Sequence, residues 1–163
     1  MDVIWNELAL SVPDAAHAVR LVMRAVAAAV LGGVIGYERS RTGKDAGFRT
    51  HMLVALGSAS FVMAAVDHGA TANDVTRVVQ GVASGIGFLG AGAILKLSDK
   101  REIRGLTTAA GIWMTAATGV CAGLGRYGLA TLVAVLSWLI LAVVPSPPDE
   151  EASRKKAPPA PAA

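Results

Sequence analysis

Apolar residues along this chain collect into five long blocks, Ala18–Tyr37, His51–Val66, Val78–Leu97, Leu106–Leu124 and Tyr127–Val144, separated by short polar gaps. Each block is 16–20 residues long. As α-helix that is roughly 24–30 Å, against a bilayer hydrocarbon core of about 30 Å. The pattern predicts an all-α, polytopic membrane protein of about five transmembrane helices. A soluble five-helix bundle would need a polar face recurring every 3.6 residues, and blocks three to five have almost none.

The basic residues orient these predicted spans. Eleven of the fifteen Lys and Arg fall at the end of or after blocks one, three and five: Arg39, Arg41, Lys44 and Arg49; then Lys96, Lys100, Arg101 and Arg104; then Arg154, Lys155 and Lys156. The gaps after blocks two and four hold only Arg77 and Arg126. Because cytoplasmic loops carry the basic excess, the expectation is an N-terminus outside and a C-terminus inside. Arg20 and Arg24 then lie at the outer end of span one, where they must snorkel to headgroups or face protein or water.

Composition agrees with this picture. The chain has 163 residues, 53% of them hydrophobic, with a formal net charge of +3, and a mean hydropathy of +0.52. That apolar excess is too great for an ordinary soluble domain. The positive charge sits in loops that would face anionic headgroups, and no aromatic interleaving points to nucleic acid. Cys121, the single cysteine, leaves no intramolecular disulfide or thiolate cluster and reads as a small packing residue.

Two segments fall outside the spans. The opening residues carry Asp2 and Glu7 in place of a basic n-region, which argues against a cleaved secretory signal. Val3–Val12 instead predicts a short interfacial helix with Trp5 as a headgroup-level anchor. Residues 145–163 are Pro-rich, charged and free of aromatics, which predicts a disordered cytoplasmic tail after a transmembrane domain over 1–144.

In a bilayer, helices associate through close backbone approach and hydrogen bonds. Small residues at four-residue spacing mark the packing faces: Gly32 and Gly36 in span one, Gly81 and Gly85 in span three, and Gly111, Thr115, Gly119 and Gly123 in span four. Span three adds a second register through Ala83, Gly87 and Ala91. This places spans three and four at the centre of the bundle and the bulky span five against lipid. The same ladders would serve a homo-oligomer.

Gly85-Ile-Gly87-Phe-Leu-Gly90 formally matches a dinucleotide fingerprint. It lacks the preceding strand and exposed helix N-terminus that hold a pyrophosphate, so it reads as packing or a flexible point. A second reading has this glycine-rich stretch unwinding at membrane depth to offer carbonyls to an ion. No P-loop, HExxH, acidic metal pair or nucleophile elbow occurs, so enzymatic catalysis, a cofactor and a metal site are all unsupported.

The densest chemistry lies between spans one and two. Glu38 follows the last apolar turn of span one and needs a partner, with Arg39, Arg41, Lys44 and Arg49 in sequence reach. It reads as a structural ion pair, a proton- or cation-sensing group, or a contact for a partner's charged helix. His51 opens span two and reads as an interfacial residue. Thr107 and Thr108, after Arg104-Gly105, read first as a helix N-cap and second as members of a polar cluster with the basic loop.

Three ordered motifs resemble the MgtC/SapB family of bacterial inner-membrane proteins. The first is Tyr37-Glu38-Arg39 with Ala46-Gly47-Phe48-Arg49-Thr50-His51 and Leu53-Val54-Ala55-Leu56-Gly57. The second is Gly85-Ile-Gly87-Phe-Leu-Gly90-Ala-Gly92. The third is Arg104-Gly105-Leu106-Thr107-Thr108-Ala109-Ala110 with Trp113 and Gly119. Together they run from Gly36 to about Tyr127. Phe48 stands where the commonest signature has Leu.

The resemblance implies a small multi-span protein of the inner membrane, in a family associated with growth at low magnesium and survival inside macrophages. Members were first named magnesium transporters. Later work on some of them points to regulation of other membrane proteins, notably the proton-translocating ATP synthase. Carried over by position, Glu38, Arg39, Arg49, Thr50, Arg104, Thr107 and Thr108 would form a cytoplasmic-side polar cluster. Gly85, Gly87, Gly90 and Gly92 would form a close-packing element. Longer members add a soluble C-terminal regulatory domain, where this chain has its Pro/Ala tail.

The resulting expectation is a non-enzymatic membrane protein that modulates a partner complex or magnesium homeostasis. The rival is a secondary transporter or channel for Mg²⁺ or another cation. Mg²⁺ prefers octahedral oxygen ligands with one or two carboxylates, whereas only Glu38 lies near the bilayer and Asp67 and Asp74 sit in the outer loop.

Overall fold

The computed structural model describes residues 14–97 and 102–145, with the backbone alone for 95–97 and 102–104. Five helices follow in order: α1 (Ala15–Arg41), α2 (Phe48–Asp67), α3 (Ala72–Gly92), α4 (Leu106–Gly123) and α5 (Tyr127–Val143). Between α3 and α4 stands a small antiparallel hairpin, β1 (Leu95–Leu97) and β2 (Glu102–Arg104), with Lys96 opposite Ile103. The expected interfacial helix at Val3–Val12, and all but the first residue of the 145–163 tail, lie outside the described residues.

The helix boundaries have local causes. Asp14 caps α1 by accepting from the His17 backbone N–H. Thr71 and Asp74 close a reciprocal capping box at the start of α3, which satisfies two otherwise orphaned backbone donors. At the start of α4, Gly105 takes φ +88°, and a Cβ there would stand 1.9 Å from the Ala93 carbonyl oxygen. Only glycine fits that left-handed, crowded position. The N-cap of α4 is therefore Gly105, with no side-chain cap bond, which corrects the expectation that Thr107 or Thr108 caps this helix.

Block three differs from its helix. The apolar run continues to Leu97, but α3 ends at Gly92 and the chain turns into β1. Across Gly85–Gly90 the helix is continuous, so the reading in which this stretch unwinds to expose carbonyls does not hold. By length and composition, α1 and α2 are long and apolar enough to cross a membrane, with α5 a shorter apolar helix.

Packing centres on α2, held between α1 and α4. A Cβ on Gly32 would lie 2.6 Å from the His51 carbonyl oxygen, and one on Gly36 would lie 2.8 Å from the Phe48 Cα. From the other side, a Cβ on Gly119 would lie 2.2 Å from the Ala55 carbonyl oxygen, and one on Gly123 would lie 2.7 Å from that of Ala59. The buried apolar cluster beside these contacts is mostly alanine: Ala28, Ala55, Ala59, Ala122 and Ala130, with Met63. Backbones approach closely here because small residues face each other, which is how helices gain dispersion contact without a hydrophobic driving force.

Span three does not share this centre. On α3 only Ile86 and Gly90 are buried. A Cβ on Gly81, Gly85, Gly87 or Gly92 would meet nothing within 4 Å, and one on Gly90 would make an ordinary 3.6 Å contact with the Ala109 Cβ. The expectation that α3 is central and that these glycines pack closely is thus corrected. Glycine spacing gives a helix the capacity for close approach, and α1 and α4 are the helices that α2 approaches most closely. On α5, Ala130, Ala134 and Ser137 face inward while Leu132, Leu139 and Ile140 stay exposed.

At the end opposite the α1–α2 loop, Arg24 resolves its awkward position by turning to protein. Its Nη1 donates to the Gly123 carbonyl oxygen at 3.2 Å, placing a cation on the negative end of α4. His17 and Asp67 pair at 2.7 Å and tie the start of α1 to the end of α2.

Candidate functional site

The buried polar residues gather where the last turns of α1 meet the first turns of α2 and α4. The turn that brings α1 onto α2 is fastened by Ser40, whose Oγ accepts from the Phe48 backbone N–H at 2.7 Å. A Cβ on Gly47 would come within 2.6 Å of that Oγ, so the small residue is required for the turn. Phe48 then lies against Gly33 and Gly36. One turn further into α2, His51 reaches the interior.

Three side chains form the centre of the site. Arg39 is only 2% exposed, and its Nη2 donates to Thr108 Oγ1 at 2.7 Å across 69 positions of sequence. A buried guanidinium is costly without partners, and a charge-assisted bond of this length offsets part of that cost. Thr108 thus holds the α1 cation against α4, the second of the two roles expected of it. His51 has no exposed surface. Its Nδ1 lies 2.9 Å from the Gly47 carbonyl oxygen, so that nitrogen carries the proton and donates. Nε2 is then an acceptor, and it has no hydrogen-bond partner among the described residues.

Glu38 is also buried, 6% exposed. Among the described residues Glu38 forms no ion pair with Arg41 or Arg49. That corrects the expected carboxylate–cation cluster in part, and for the adjacent Arg39 helix geometry sets the side chains apart. Successive residues leave a helix about 100° apart, so neighbours such as Glu38 and Arg39 do not face each other. By the same periodicity Glu38 shares a face with Ile35 and Leu31.

Of the remaining predicted site residues, Arg49 and Thr50 are exposed on the first turn of α2 and Thr107 is half-buried. The backbone of Arg104 ends β2, and its side chain lies outside the described part. The structure therefore joins Arg39 and Thr108, buries Glu38 and His51, and leaves Arg49 and Thr50 at the surface. Thr115 and Thr118 on α4, both fully buried, were not singled out as polar-site residues. Their hydroxyls donate to the carbonyls of Gly111 and Met114, each one turn back, which is how a helix in an apolar setting satisfies a hydroxyl by itself. His51, expected as an interfacial residue, is instead fully buried, because Gly32 and Gly36 of α1 let its helix approach closely.

These features define a helical protein, with one short hairpin and helices apolar enough to span a membrane, held by glycine-mediated helix contacts around a buried Arg–Thr–His site at one end. The chain belongs to the MgtC family, whose pattern it matches over residues 25–147. It is 45% identical to the protein SrpB of Synechococcus elongatus, over 74% of this chain and 72% of that protein. It is 41% identical to a putative magnesium transporter, YhiD, of Escherichia coli, over 75% of this chain and 59% of the relative. It is 38% identical to the protein MgtC of Salmonella typhimurium, over 74% of this chain and 51% of that protein. Of these last two relatives the match spans little more than half the length. No solved structure matches the chain.

Proposed function

We propose that this protein is a non-enzymatic, multi-pass protein of the bacterial inner membrane that modulates a partner membrane complex or magnesium homeostasis. In this reading all five helices span the bilayer, with the Arg39–Thr108 end on the cytoplasmic side. The observation that carries it is the character of the buried site. Among the described residues its one buried carboxylate is Glu38, adjacent in sequence to a buried guanidinium, Arg39. Among the described residues no group of three His, Cys, Asp or Glu could hold a metal ion. A Mg²⁺ ion entering this region would have to shed water for few oxygen ligands, which is unfavourable.

A second reading, a secondary transporter or channel for Mg²⁺ or another cation, draws support from the name of the YhiD relative. In an oligomer, Glu38 from several copies would make an acidic ring of the kind that selects cations. Mg²⁺ flux into sealed proteoliposomes separates the two readings, with Glu38→Gln measured in parallel. Flux by the wild type that is lost in the variant overturns the modulator reading. No flux from folded protein supports it, and crosslinking in native membranes then identifies the partner, with the proton-translocating ATP synthase the first complex to test.

A further inference from the structure

The fully buried His51 ring raises a specific question about its second nitrogen. Nδ1 is committed to the Gly47 carbonyl at 2.9 Å, which leaves Nε2 as a bare acceptor with no hydrogen-bond partner among the described residues. Leaving a buried acceptor unsatisfied is costly, and the great majority of such groups in folded proteins have a protein or water partner. The ring faces α4 at Gly111, where a Cβ would lie 3.6 Å from Nε2 and 3.9 Å from the Leu141 Cδ1. Those are ordinary contact distances, so the missing methyl group leaves room beside Nε2 without any clash.

One turn away on the same helix stands Thr108. Its Oγ1 accepts from Arg39 Nη2, which leaves its O–H hydrogen available to donate. Thr108 and Gly111 are three residues apart and share a face of α4. The space beside Gly111 is thus bordered by an imidazole acceptor from α2 and lies one turn from a hydroxyl donor on α4. A buried water needs two to four polar partners and room for one probe sphere.

We propose that the site beside Gly111 binds an internal water molecule that donates to His51 Nε2 and accepts from the Thr108 hydroxyl. The water completes a chain running from Arg39 on α1 through Thr108 on α4 to His51 on α2. Glycine at 111 is then a requirement of the ligand and not of helix approach, unlike Gly119 and Gly123, where a Cβ would strike backbone.

The test is solid-state NMR of the full chain in lipid bilayers, with ring-labelled histidine and the His51 signal identified by its loss in His51→Gln. In the wild type, Nε2 is expected to show the shift of a hydrogen-bonded acceptor, and magnetisation from water protons is expected to reach the His51 ring sooner than the buried Val62. In Gly111→Ala the methyl group displaces the water, so the transfer is lost and Nε2 moves toward the shift of an unbonded nitrogen. An unbonded Nε2 shift in the wild type overturns the proposal. So does a bonded shift without water transfer, which would mean that Thr108 donates directly and would be abolished in Thr108→Val. Transfer that persists unchanged in Gly111→Ala also overturns it. Should that variant fail to fold, the two wild-type measurements decide the matter.

Discussion

Gly119 of α4 lies so close to Ala55 of α2 that a Cβ on the glycine would stand 2.2 Å from the alanine's carbonyl oxygen. Ala55 is met from the other side by Gly32 of α1, whose Cβ would lie 2.7 Å from its own. One fully buried alanine is therefore the point at which three helices converge, and neither neighbour has space for a methyl group.

Gly119→Ala must push α4 away from α2, because the atom it strikes is backbone. Overpacking of this kind costs about 1–3 kcal/mol, more where backbone must shift. The expected result is a lower unfolding temperature in detergent. Gly85→Ala, which meets nothing within 4 Å, should be neutral or raise stability by up to about 1 kcal/mol from helix propensity. Equal losses from the two substitutions would refute this division of the glycines.

Thr108→Val removes one acceptor of Arg39, at 2.7 Å, while keeping the shape of the side chain. With a charged, buried donor left short of a partner, the expected loss is about 1.5–3 kcal/mol. Thr108→Ser keeps the hydroxyl and should retain most of the stability. If the role of Thr108 were instead to cap α4, the valine variant would fray the first turn of that helix, and amide exchange at residues 106–109 would report it.

Gly105→Ala combines a left-handed φ with a Cβ 1.9 Å from the Ala93 carbonyl oxygen. The turn between β2 and α4 cannot form around that contact. The variant is expected to accumulate poorly in membranes, whereas Gly128→Ala, with nothing within 4 Å, should accumulate as the wild type does.

Arg24→Gln keeps some hydrogen-bonding capacity but removes the cation from the end of α4. For a partly buried charge at a helix C-terminus the expected cost is about 0.3–1 kcal/mol. Arg20→Gln, at an exposed position one turn earlier, should have a smaller effect in the same thermal assay.

The proposed orientation is open to a labelling test in intact cells with Cys121 replaced by Ala. A cysteine at Ala70, between α2 and α3, should react with a membrane-impermeant maleimide from outside. One at Thr42, between α1 and α2, should react only after the membrane is opened. The reverse pattern would overturn the assignment of the Arg39–Thr108 end to the cytoplasm.

The five apolar blocks determined the five helices because hydropathy and helix length are local properties, readable one segment at a time. Where the block and the helix disagree, at Leu95–Leu97, the apolar run continues but the helix stops at Gly92 and a hairpin takes over. The family motifs were equally legible, since they are runs of residue identity. What the sequence could not determine was which of several similar glycine ladders would be used. Gly32 and Gly36, and Gly119 and Gly123, are filled by the backbone of α2, while Gly81 and Gly85 carry the same spacing and meet nothing. Nor could it choose among the charges: Glu38 and Arg39 are neighbours in sequence that diverge on the helix, while Arg39 and Thr108, 69 positions apart, form the bond. A helical period tells which residues share a face. Only the tertiary structure decides which face meets it, because that choice depends on how well whole surfaces fit.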